Sequence, residues 1–266
     1  MIASLADRAV IAVSGPEART FLQGLITNDL DRLTAGHALY AALLTPQGKI
    51  LFDFLIADDA AGAILIDCWA PAREGLLKRL SMYRLRARVV IQARDDVAVL
   101  ASWDGTALPG LAFDDPRLAA LGRRSLAPAA PSHASGDYLA HRLSLGVPEG
   151  ADFGSDKIFA LDADLDELQA IAFDKGCYVG QELTARMKHR GTARKRLLLV
   201  ETTSKSALVV GADLRAAGHS IGEIVSVYGS RGFASIRLDR LAEADGAAID
   251  ADGVPVTVTK QDWLSA

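Results

Sequence analysis

Apolar positions along this chain recur mostly in short runs with the length and period of strands, with a few helical stretches between them. Residues 8–14 form an apolar run that predicts a buried strand. Pro16 follows where a first helical turn tolerates proline. Phe21, Leu22, Leu25 and Ile26 then share one stripe of a predicted helix over residues 17–26. Thr45-Pro46-Gln47-Gly48 marks a turn, and Lys49 to Ala57 alternates as a strand. Ile50, Phe52, Phe54 and Ile56 lie on one of its faces, and Asp53 lies on the other between Leu51 and Leu55. Such an acid is either an exposed polar position, the commoner outcome, or a carboxylate aimed into a cleft.

Strands over 64–69 and 97–101 flank an amphipathic helix over 72–83. Between them, Arg84 to Ile91 alternates bases with apolar residues like a strand with one wet face. This β-β-α-β-β order predicts a small α+β domain closing near residue 130. Residues 109–136, rich in Pro, Gly, Ala and Ser, read as connecting structure, and Tyr138 to Leu145 as a further strand. Asp162, Asp164 and Asp166 imitate the start of a calcium loop. Glu167 stands where glycine is needed and Phe173 where the closing acid belongs, so the segment reads as an acidic helix start running to Ala172. Beyond Arg196, short strands at 197–202, 220–227, 233–237 and 254–259 predict a small barrel or curled sheet.

Composition narrows the class. The 266 residues are half hydrophobic and about a quarter charged, enough for two or three globular domains. A formal net charge of −4 argues against a general nucleic-acid or anionic-membrane binder. No apolar run approaches the ~18 residues of a membrane span, and the first residues carry no basic segment followed by an apolar core. Two cysteines, Cys68 and Cys177, suit a reducing compartment, and the expected location is cytoplasmic.

Common catalytic motifs are absent: no phosphate-binding glycine loop, no dinucleotide fingerprint, no H-E-x-x-H, no G-x-S-x-G. The five histidines show no metal-ligand spacing, so no metal site is expected, and two distant cysteines cannot hold an iron–sulfur cluster alone. What remains is the stretch Asp174 to Arg186. Cys177 sits there between Gly176 and Gly180, beside Lys175, in a loop that opens a helix at about Val179. That setting lowers a thiol pKa and suits a nucleophile, a redox group or one of several metal ligands. The alternative is a tight turn around an inert, buried thiol. Gln181 and Glu182 are either site residues or the first turn of the helix. Arg186, Lys188, Arg190, Arg194, Lys195 and Arg196 follow without an acid, as a solvated face or as a grip on an anionic tail.

Lys175-Gly176-Cys177-Tyr178-Val179-Gly180-Gln181-Glu182 resembles the signature of the YgfZ-type folate-binding proteins, relatives of the glycine-cleavage T-protein (aminomethyltransferase). Phe21 to Asp29 is similar to that family's F-L-Q-G-x-x-T-N-D, Leu43 to Lys49 to its following turn, and Arg142 to Pro148 to its R-x-E-x-G-x-P. Arg186 to Gly191 is similar to its R-x-x-x-R-G, and Gly222 to Ser226 to its G-x-V-x-S. The resemblance implies an α+β, three-domain cloverleaf of the aminomethyltransferase type around a central folate-sized hole. Its parts would be a discontinuous α/β first domain (1–48 plus 137–192), a ferredoxin-like second domain (49–136) and a C-terminal β-barrel (193–266).

The resemblance further implies tetrahydrofolate or a related folate as ligand, and partnership with iron–sulfur enzymes or assembly proteins, including those that modify tRNA. It assigns the central role to Cys177 at a central cleft. Folate contacts fall on Asn28, Asp53, Arg142, Ser144, Lys175, Tyr178, Gln181, Glu182, Arg186 and Arg190. Ser144 departs from the family's acid; losing that charge-assisted pair costs on the order of 1.5–3 kcal/mol. The alternative activity is a folate-dependent aminomethyl transfer.

Overall fold

The structure is a computed structural model describing residues 1–128, 137–191 and 194–265. In chain order, β1 (Ala3–Ser4), β2 (Arg8–Ser14), α1 (Ala18–Gln23), β3 (Leu39–Leu44), β4 (Ile50–Asp58) and β5 (Ala63–Trp69) come first. They are followed by α2 (Arg73–Arg84), β6 (Val90–Ala93), β7 (Ala98–Ser102), β8 (Leu111–Asp114), β9 (Arg123–Ala127), α3 (Tyr138–Ser144) and α4 (Gln181–Arg190). The last portion holds β10 (Lys195–Glu201), β11 (Asp213–Ala216), β12 (His219–Tyr228), β13 (Arg231–Arg237), α5 (Leu238–Glu243), β14 (Ile249–Ala251) and β15 (Val254–Thr259).

These strands form a five-stranded sheet in the order β3-β4-β5-β2-β6, a four-stranded sheet β1-β7-β9-β8, and a closed barrel β10-β13-β12-β11-β14-β15. The expected boundary at 48/49 runs through the first sheet, because β3 pairs with β4 from Leu39↔Ile56 to Leu44↔Ile50 across the Thr45–Gly48 turn. That turn is the tip of a hairpin between long strands, so the segment 49–136 is not a separate sheet. The first barrel strand runs Lys195–Glu201, close to the strand expected at 197–202.

Strand alternation sorts side chains into two cores. Ile11, Val13, Ala41, Leu43, Phe54, Ile56 and Ile66 face one side, where Leu22, Leu76 and Leu80 of α1 and α2 cover them. Val10, Ala12, Tyr40, Ala42, Leu55 and Leu65 face the other, against Val99 and Leu126 of the second sheet, Phe153 and Leu161, and Leu197 and Phe233 of the barrel. Ile50 joins this second core and not the face of Phe52, because the β3–β4 register shifts between Leu43 and Leu44. A third core fills the barrel.

Four local expectations are corrected. Tyr138 to Leu145 is helical, since the Asp137 carboxylate accepts from Ala140 N at 2.9 Å and caps the turn. The expected strand from Arg84 shrinks to β6, because α2 runs on to Arg84 and Leu85 turns back at φ 45°. Residues 109–136 are not merely connecting: they contain β8 and β9. Residues 162–172 form turns and no helix, with Asp164 and Gln169 at φ 63°. Their acids serve tertiary contacts instead: Asp164 accepts from Leu197 N at 3.1 Å, and Asp166 lies 3.2 Å from the Arg196 guanidinium.

Candidate functional site

The Cys177 turn is built from buried anchors on either side of an exposed tip. Lys175 is buried, and its ammonium donates to the carbonyls of Gln23, Ile26 and Asn28 at 2.7–2.9 Å, the orphan acceptors at and just beyond the end of α1. Burial lowers its pKa to about 8. Lys175 therefore does not serve as a free cation beside the thiol. The buried ring of Tyr178 lies 5.3 Å from the same ammonium. Val179 packs with the α1/α2 core, and Gly180 caps α4 in the left-handed conformation at φ 83°. Between these anchors Gly176 and Cys177 are exposed. Fixing the turn at both ends presents one thiol to solvent at little ordering cost.

Gly180 tests this anchoring. A Cβ there would lie 2.5 Å from the Thr45 carbonyl oxygen and 2.9 Å from Leu44 Cβ, both in buried residues. Gly180→Ala is expected to lower the unfolding free energy by about 2 kcal/mol or more, read as a reduced urea midpoint; an unchanged midpoint removes the rigid-turn account.

The other expected site residues scatter. Gln181 opens α4, and Glu182 is exposed and paired with Arg186 at 2.7 Å along the same helix. The side chain of Arg190 lies outside the described residues. Of the remaining bases, Arg196 is buried against Asp164, Asp166 and Glu167, and Lys188 reaches Asp166 at 3.2 Å, so this run is in part an internal tie to the barrel. Asn28 is buried and donates to the carbonyls of Tyr40 and Gln169, stitching distant loops together. Ser144 is exposed and donates back to the His141 carbonyl.

Where the two sheets meet the barrel, a buried ion-pair network fills the junction. Arg124 bridges Asp67 (2.8 Å), Asp115 (3.1 Å) and Glu149 (3.3 Å). Arg117 pairs with Asp115 (2.7 Å) and Glu149 (2.5 Å), and both guanidiniums donate to the Tyr138 hydroxyl at 2.7 Å. Arg8 donates to Asp67 at 2.7 Å. Arg142, expected at a ligand, instead pairs with Asp152 at 2.8 Å; the other Asp152 oxygen accepts from Ser226 and Tyr228 of β12, locking the barrel to the body. Arg117, Arg124, Asp67, Asp115, Glu149 and Asp152 are not among the residues that motif or resemblance marks. Only Asp67, an acid inside an apolar strand, carried a local signal.

Asp53 belongs to the edge of this network. It is buried, not exposed; its carboxylate accepts from the Tyr40 hydroxyl (2.9 Å) and Gly150 N (3.1 Å), and burial raises its pKa. It also lines a cavity of about 360 Å³ with Phe52, Cys68, Trp69 and Pro71, within the size range of small-molecule sites. Cys68 is buried there with its thiol pushed up to about 12 by desolvation. Cys177 is not among the residues lining the Asp53 cavity, so the exposed thiol and that cavity are separate features.

Comparison with known proteins fits this geometry. Residues 5–103 match the GCVT N-terminal domain, and residues 194–266 match the CAF17 C-terminal β-barrel domain. The human iron–sulfur cluster assembly factor IBA57, mitochondrial, is 30% identical over 89% of this chain and 77% of its own length. This chain belongs to the IBA57 family. The Neurospora crassa IBA57 homolog is 34% identical, but the match spans 74% of this chain and about half (52%) of that relative. The fold of this IBA57-family chain is that of the glycine cleavage system aminomethyltransferase T from Bartonella henselae, with a TM-score of 0.76 over 99% of this chain and 86% of that one, at 17% identity. The IBA57 relatives are mitochondrial by name, which overturns the expectation of a cytoplasmic protein.

Proposed function

We propose that this chain is an iron–sulfur cluster assembly factor that offers Cys177 as a single exchangeable thiolate to a cluster it shares with a partner. The observation that carries this reading is the exposed Cys177 on a turn anchored by Lys175 and Tyr178. Among the described residues no cluster of three or more His, Cys, Asp or Glu is placed to hold a metal ion. Cys68 is buried with a raised pKa, so it stays protonated. One thiolate supplies one corner of a cluster that needs about four ligands. The cluster is therefore cargo, passing between partners by ligand exchange, and the clients are iron–sulfur enzymes, those that modify tRNA among them. The relatives' compartment, the mitochondrion, is carried over with the reading. The test is genetic: in cells lacking the protein, the wild-type chain restores client activity and Cys177→Ser does not; full restoration by the variant removes the assignment.

The YgfZ-type reading adds a folate-type ligand, and the cavity beside Asp53 is the feature that supports it. Its walls, Phe52, Trp69 and Pro71, suit a flat heteroaromatic ring, and Asp53 is the one carboxylate there to meet a ring amino group. Tetrahydrofolate is expected to bind saturably, followed through Trp69 fluorescence, and Asp53→Asn to weaken it about tenfold. Circular dichroism confirms that the variant is folded. An indifferent wild-type protein removes the folate half while leaving the Cys177 reading intact.

A further inference from the structure

The chain is acidic overall, yet residues 75–94 carry six bases and no acid. Arg84, Arg86 and Arg88 are exposed on the turn between α2 and β6. Arg88 is paired with Glu17 at 3.1 Å, whereas among the described residues Arg84 and Arg86 have no ion-pair partner. The same turn exposes large apolar side chains: Met82 is 61% exposed, Leu85 87% and Val90 49%. Leu85 is held outward at φ 45°, ψ −106°, a conformation an L-residue adopts only under constraint. Neither feature serves this chain's own core.

The strand that follows is the last of its sheet. β6 pairs only with β2, from Ile11↔Ala93 to Ser14↔Val90, and among the described residues no strand lies on its outer side. Arg94 N donates to Val10 O at 2.9 Å. Antiparallel alternation then turns the amides of Gln92 and Val90 inward and those of Ile91 and Ala93 toward the open edge. Unpaired strand edges recruit other strands unless they are blunted. The bases here repel a basic or like-charged segment and favour an acidic one.

We propose that β6 and the Arg84–Arg88 turn form a docking site for an extended, acidic segment of a partner protein. The segment adds as a strand on β6, its carboxylates meet Arg84 and Arg86, and its apolar side chains cover Leu85 and Val90. Free backbone donors and acceptors on the edge select a polypeptide over a lipid surface. The site is independent of Cys177.

The test uses the full chain and a fluorescein-labelled heptapeptide, Glu-Val-Asp-Val-Glu-Val-Asp. Saturable anisotropy binding that weakens with salt is expected, with amide shifts in NMR spectra at Ile91 and Ala93. The Arg84→Glu/Arg86→Glu variant, altered at exposed positions that leave the fold undisturbed, is expected to bind at least tenfold more weakly. The same peptide N-methylated at alternate positions is expected not to bind, since it lacks strand donors. Equal binding of the N-methylated peptide, or no binding of either, overturns the proposal. So does attachment to phosphatidylserine vesicles without peptide binding, or self-association of the chain through this edge.

Discussion

Replacing Arg124 by methionine is expected to remove roughly 3–5 kcal/mol of unfolding free energy, the cost of breaking a buried ion pair from one side. Arg124 is 1% exposed and holds Asp67, Asp115 and Glu149 with its three nitrogens. Methionine fills much of the same volume and leaves three carboxylates facing one another with less compensation. The exposed pair Arg123–Asp114, 3.2 Å apart on neighbouring strands, provides the contrast: Arg123→Ala should cost under about 1 kcal/mol.

The same network sets an acid limb. Burial pushes the carboxyls of Glu149 and Asp115 up, but the neighbouring guanidiniums, Arg117 foremost, outweigh it and hold both below the usual range. A carboxylate with a depressed folded pKa stabilises above its unfolded pKa, about 4.3 for Glu, and loses that contribution as pH falls below it. Urea unfolding at pH 7 and pH 4 should therefore show wild-type stability dropping with acidification and Arg124→Met dropping less. A variant within 1 kcal/mol of wild type at pH 7 would falsify the view that this network clamps the sheets together.

Cys177→Ser is expected to do the reverse: no loss of fold, and a large loss of function. The side chain is exposed, so its unfolding free energy should stay within about 0.5 kcal/mol of wild type. Serine keeps the shape but cannot offer a thiolate, the form of cysteine that binds metals. Client iron–sulfur enzyme activity should fall by about tenfold or more, since loss of even an outer partner of a metal ligand typically costs 10–100-fold. Cys68→Ser is the control. It places a hydroxyl in a buried position whose sulfur has only a 3.5 Å contact to Ala9 O, costing about 1–3 kcal/mol, and it keeps the exposed Cys177 thiol that ligand exchange needs. Should both serine variants lose function equally with stability preserved, Cys177 has no special role.

Legibility followed the range of each interaction. β2, β4, β5, α2 and the barrel strands β10, β12, β13 and β15 are readable because burial of alternate or every third and fourth side chain is written within a few residues, whereas the short β11 and β14 are not. The Asp137 cap that makes α3 helical is equally local, yet it does not enter the strand expectation for Tyr138 to Leu145. Asp53 reads as exposed from sequence because a strand's own pattern says which face a residue takes, not whether that face is covered. The second sheet and the 137–191 segment cover it here, turning an acid between leucines into a hydrogen-bonded buried group.

The sequence by itself determined the strand and helix periods, the C-terminal barrel and the singular character of the turn bearing Cys177. Only the tertiary structure decided that Lys175 spends its charge on α1 carbonyls, that Arg142 serves Asp152, and that the thiol stands apart from the Asp53 cavity. The reason is distance along the chain: Arg124 meets Asp67 across 57 residues and Ser226 meets Asp152 across 74. Such partners leave no mark on local spacing, because their pairing depends on how whole sheets stack.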